Sequence, residues 1–92
     1  MKYEHPYSEI STNDKEIKIN IKLPNVQKRN INLKIYQKSL EVDGIKKKGG
    51  KTTGFYRNIS LPENVLLKKA NASFKKETLK IRIPLRKLIS PP

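Results

Sequence analysis

The sequence predicts an all-β protein, an immunoglobulin-like antiparallel β-sandwich of six or seven short strands. Three observations carry this. Apolar residues recur at every second position in several separate stretches. Turn-forming residues, mostly proline, glycine and asparagine, end most of those stretches. No long window has the three-to-four-residue spacing of an amphipathic helix, and Asn64–Lys69 allows one turn at most. Two packed sheets give every apolar face a partner.

The elements follow in order. Tyr7–Ile10 reads as a short strand near the start. Ile17, Ile19, Ile21 and Leu23 alternate with Lys18, Asn20 and Lys22, a half-buried strand stopped by Pro24-Asn25. Ile31, Leu33 and Ile35 repeat the pattern, with Asn32, Lys34 and Tyr36 outward. Leu40 and Val42 make a third run, ended at Asp43-Gly44. Phe55, Arg57, Ile59 and Leu61 share one phase and end at Pro62. Ala72 and Phe74, then Leu79, Ile81 and Ile83, form a closing hairpin that ends at Pro84. The expected core is Ile19, Ile21, Leu33, Leu40, Val42, Ile59, Leu61, Phe74, Leu79 and Ile81. Residues 7–85 are the expected sandwich, with 1–6 and 86–92 as flexible tails. Ile45–Thr53 reads as a basic loop.

Two positions resist easy placement. The turn of the last hairpin carries Lys-Lys-Glu where a tight turn favours glycine or asparagine. A left-handed backbone at Glu77 costs about 1 kcal/mol, so a looser turn is expected over Lys75–Thr78. Arg57 shares the phase of core residues, where a charge needs a partner or access to water. Glu41 and Asp43 are the candidate partners, and a subunit contact is the alternative.

Composition narrows the function. Ninety-two residues make one domain, burying roughly 60% of the unfolded surface. There is no cysteine, hence no disulfide framework and no thiolate metal site. No apolar run approaches the roughly 20 residues of a membrane helix, and MKYEHPYSEI lacks the apolar segment of a signal peptide. A soluble cytoplasmic protein without membrane contact is expected. The net charge of +13 draws the chain toward anionic partners. The lysines are spread out, however, with one dense run at Lys46-Lys47-Lys48 and Lys51, and better suit solvent-facing strand positions; Lys34, Lys38, Lys75 and Lys80 read as guards of exposed edges. Aromatics are not interleaved with the basic residues, apart from Tyr36 and Tyr56 near Lys34, which argues against nucleic acid.

Catalytic equipment is sparse. His5 is the single histidine and falls in a tail. The eight acidic residues are scattered and suit salt bridges better than acid–base chemistry. Gly-Gly-Lys-Thr at 49–52 has the end of a phosphate-binding loop, but Ile45 stands where its first glycine belongs, and a strand follows instead of a helix. The chain reads as a non-enzyme without metal or cofactor.

Four segments, in order, resemble the small heat-shock protein family with its α-crystallin domain. Phe55-Tyr-Arg57-Asn-Ile59-Ser-Leu61-Pro62-Glu-Asn-Val65 is similar to that family's F-x-R-x-[aromatic/aliphatic]-x-L-P-x-x-V segment. Ala72 through Glu77, Leu79, Ile81 and Pro84 resembles A-x-x-x-x-G-V-L-x-[IV]-x-x-P, with Glu77 in the glycine position. Ile21–Val26 with Ile31, Leu33 and Ile35 resembles a third family segment, and Leu40–Gly44 a fourth. The resemblance spans about Tyr7 to Pro84.

This resemblance implies an ATP-independent chaperone domain of the stress response that binds partly unfolded proteins and limits their aggregation. It implies a groove for client or partner segments lined by Ile31, Leu33, Ile35, Ala72 and Phe74, and a family arginine at Arg57. The family's long arm, swapped loop and Ile-x-Ile/Val tail have no clear counterpart: Ile45–Thr53 is short and Leu88-Ile89 are adjacent. A monomer or small edge-to-edge dimer is therefore expected. The alternatives are an adaptor, of the co-chaperone type or the crystallin-like type joined to some ATPases, and a basic nucleic-acid-binding β-domain.

Overall fold

The computed structural model describes residues 3–87. Its strands are β1 (Tyr3–Glu4), β2 (Ser8–Thr12), β3 (Glu16–Lys22), β4 (Ile31–Ile35), β5 (Ser39–Lys48), β6 (Lys51–Ser60), β7 (Asn71–Lys75) and β8 (Thr78–Pro84). They form two four-stranded sheets, in the orders β1-β6-β5-β4 and β2-β3-β8-β7. Seven strands pair antiparallel, as the alternation predicts, and β1 adds in parallel to β6. This short strand lies inside the segment 1–6. The only helical pieces among the described residues are single 3-10 turns, Lys28–Asn30 and Leu67–Lys69.

The central strands of each sheet supply the fully buried residues. In the second sheet Ile17 faces Ile83, Ile19 faces Ile81 and Ile21 faces Leu79 across the β3–β8 pair, and all six are buried. In the first sheet Leu40 and Val42 of β5 and Phe55 and Ile59 of β6 meet them. Each large aliphatic side chain removed from water here is worth roughly 1.5–3 kcal/mol. Leu33 and Phe74 are only half-buried, against expectation. Both sit on edge strands, with a neighbour on one side only.

Three local expectations are corrected. First, β5 does not stop at Asp43-Gly44; it continues to Lys48 and turns through Gly49-Gly50 into β6. Both glycines have positive φ, 57° and 79°, matching the two-residue hairpin turn that favours glycine. The presumed loop Ile45–Thr53 is thus mostly strand. Gly44 serves close approach: a Cβ there would lie 1.9 Å from the Asn30 carbonyl oxygen and 2.8 Å from the Phe55 ring.

Second, the β7–β8 turn is tight. Lys75 pairs with Thr78, and Lys76 and Glu77 both adopt positive φ, 49° and 61°. The Glu77 side chain has a use there. Its carboxylate accepts the backbone N–H of Asn25 at 2.7 Å, and its carbonyl accepts that of Leu23 at 2.8 Å. Asn25 is itself left-handed, at φ 64°. Glu77 therefore ties two strained turns together, which a glycine could do only through its backbone. Third, Lys80 is no edge guard, because β8 is an interior strand.

Candidate functional site

β1 and β2 are consecutive in the chain and are joined by three residues, yet they belong to different sheets. Their edges must therefore lie along the same flank of the sandwich. β4 and β7, the opposite edges of the two sheets, share the other flank. Hydrogen bonds set their relative direction. At one end the Asn30 carbonyl closes on Gly44, Lys47 N–H donates to Asn25 O, and Asn25 N–H reaches Glu77. The start of β4 and the turn after β7 lie at that end. At the other, Gln37 Nε2 donates to the carbonyls of Glu63 and Val65, at 3.2 and 3.3 Å, just before the 3-10 turn that leads into β7. β4 and β7 therefore run in opposite directions along the flank.

Register decides which side chains face inward. Leu33 lies opposite Val42 and Ile35 opposite Leu40, both core residues, and Ile31 shares their phase. On the other sheet Ala72 lies opposite Ile81 and Phe74 opposite Leu79. Opposed residues of an antiparallel pair project to the same face. All five candidate groove residues thus point between the sheets. Ile31, Leu33, Ile35 and Phe74 are half-buried and packed against the core, while Ala72 is exposed. The flank combines two incompletely covered apolar rows with two strand edges whose outer backbone groups have no ladder partner among the described residues.

Arg57 lies opposite Val42 and faces inward, as its phase predicts. The predicted partners do not reach it. Glu41 lies opposite Asn58 and Asp43 opposite Tyr56, so both project from the outer face of the sheet. Glu41 accepts from Tyr56 Oη and Asn58 Nδ2, and Asp43 accepts from Asn32 Nδ2 at 3.0 Å. Arg57 Nε is buried without a hydrogen-bond partner among the described residues. The ion pairs formed among those residues are Lys46–Glu4 and Arg82–Glu16, the latter at 2.7 Å with Glu16 buried. His5 Nδ1 donates to the Tyr56 carbonyl at 3.1 Å. Leu88 and Ile89 lie outside the described residues. No helix among the described residues is long and apolar enough to cross a membrane.

Sequence reading missed the side-chain function of Glu77. Its available signal was a carboxylate standing where turn geometry asks for glycine.

The arrangement is that of an all-β sandwich with half-buried apolar rows on two edge strands and backbone edges open to strand pairing. Comparison with known proteins makes this specific. The chain belongs to the Hsp20/alpha crystallin family, whose pattern it matches over residues 9–91. It is 34% identical over 91 residues to small heat shock protein C4 of Rickettsia felis, covering 86% of this chain. It spans only 56% of that relative's length. The fold is also that of heat shock protein 16.0 from Schizosaccharomyces pombe, with TM-score 0.83 and 16% identity over 98% of this chain and 77% of that one. A small heat-shock protein from Xylella fastidiosa superposes with TM-score 0.81 and 20% identity over 95% of this chain and 91% of its own. The family is one of chaperones, not of enzymes, and membership supports a chaperone-like role in general.

Proposed function

We propose that this chain is an ATP-independent holdase of the cytoplasm. It binds partly unfolded proteins as extended segments along the β4–β7 flank and keeps them from aggregating. The observation that carries this reading is the pair of inward-facing apolar rows left half-covered on edge strands: Ile31, Leu33 and Ile35 on one side, Ala72 and Phe74 on the other. An extended client would take backbone hydrogen bonds from a free edge and place alternate side chains between the sheets. The β6 edge beyond the two-residue β1 leaves room for a second copy, and an edge-to-edge dimer is the assembly proposed. Arg57, whose buried Nε has no partner among the described residues, is the residue assigned to a subunit contact.

Light scattering of a heat-labile enzyme, with and without this protein and without nucleotide, tests the reading. Suppression of aggregation near equimolar ratio is expected. It should be lost in Leu33→Ser/Phe74→Ser, whose half-buried sites leave the central core intact. No suppression by the parent protein would instead fit an adaptor that binds one folded partner.

A further inference from the structure

We infer that the β4–β7 flank selects its clients by charge: it takes a short apolar segment bounded at both ends by carboxylates. This rests on the reading of that flank as the client site and names the class of segment it holds. The two stretches that build the flank, 27–38 and 66–76, contain no aspartate or glutamate. Their cations gather at the two ends of the apolar rows. Lys28 and Arg29 precede β4 at the end where Lys75 and Lys76 close β7. Lys38 follows β4 at the end where Lys68 and Lys69 lead into β7. All seven are exposed, and none is among the ion pairs of the described residues.

Nearby carboxylates offset this little. Glu77, hydrogen-bonded to Asn25 N–H and still charged, stands against four cations at one end, and Glu63 against three at the other. Lys34, on the outer face of β4, lies opposite Glu41 and is left out of the count. The apolar rows thus sit between two clusters that each keep a net positive charge. β4 is five residues long, so a matching client has about five apolar-rich residues, roughly 17 Å, between acidic flanks. Basic flanks would meet like charge at both ends.

The test uses fluorescent peptides with one five-residue Val/Ile core and Glu, Ser or Lys flanks, plus a Glu-flanked peptide with a Ser core. Binding to the full chain is read by anisotropy at about 0.01 M and about 1 M salt, where the Debye length falls from about 30 Å to about 3 Å. At low salt the Glu-flanked apolar peptide should bind about tenfold tighter than the Ser-flanked one, with the Lys-flanked one weakest. At high salt the three should converge. Lys68→Glu/Lys69→Glu/Lys75→Glu, at exposed positions, should abolish the preference for Glu flanks, and an unchanged preference would overturn the inference. If the apolar peptides bind equally whatever their flanks, charge selection is wrong and the client site stands. If the Glu-flanked Ser core binds as well as the apolar core, a general polyanion surface replaces this inference. If no peptide binds at either salt, the client site itself falls.

Discussion

Substitution of Glu77 pits two opposed effects against each other at one turn. At φ 61° an L-residue loses about 1 kcal/mol. Against that stands a charge-assisted hydrogen bond, the carboxylate to Asn25 N–H at 2.7 Å, worth about 1 kcal/mol at this exposed site. Glu77→Ala keeps the strain and loses the bond, so it should destabilise the fold by about 1 kcal/mol. Glu77→Gly loses the bond but relieves the strain, partly offset by a looser unfolded chain. It should fall between Ala and the parent. Glu77→Gln keeps an acceptor and should lose about half as much as Ala. With a urea slope of about 1–2 kcal/mol per molar, the alanine variant's midpoint should drop by about 0.5–1 M. The backbone bond from Leu23 to the Glu77 carbonyl is unchanged throughout. An alanine variant as stable as the parent would show that the carboxylate contributes nothing. A glycine variant no better than alanine would show that the turn is unstrained.

Other outcomes follow from the packing. Gly44→Ala should cost at least about 3 kcal/mol or abolish folding, since the added Cβ meets the Asn30 carbonyl and the Phe55 ring; a melt within a few degrees of the parent would refute that close approach. Leu40→Ala, at a fully buried site, should cost about 2–5 kcal/mol, and Phe74→Ala, half-buried on an edge, clearly less; equal losses in urea unfolding would mean that β7 is covered. Arg57→Met should leave stability unchanged or higher, because the buried Nε has no partner among the described residues, while weakening self-association in sedimentation; a stability loss of several kcal/mol would reveal a hidden counter-charge. Self-association should strengthen with added salt, because +13 charges repel across any interface, and weakening with salt would point to ion pairs holding the subunits.

Alternation identified the strands that build the core, because the pleat repeats every two residues and a half-buried strand shows it; the two-residue β1 and the Lys-rich hairpin end of β5 and β6 carry no such pattern. Ile17, Ile19 and Ile21, like Leu79, Ile81 and Ile83, could be assigned a face from spacing. Ends were harder. Gly44 looked like a stop, and only the Asn30 carbonyl packed above it explains why glycine sits inside a strand. The partner proposed for Arg57 failed for a similar reason: Glu41 and Asp43 are close along the pleat but on the other face. Leu33 and Phe74 have core phase, yet spacing cannot tell a central strand from an edge.

By itself, then, the order of residues determined the class of fold, the inward faces and the family resemblance, all of which depend on local period and spacing. Tertiary structure decided which strands became edges, which apolar rows stayed half-covered, and which basic residues met at the ends of one flank. Those depend on strand order across two sheets, set by contacts between residues far apart in the chain, such as Asn25 with Glu77 and Gln37 with Val65. Burial is a sum over neighbours from the whole molecule, and no local window contains them.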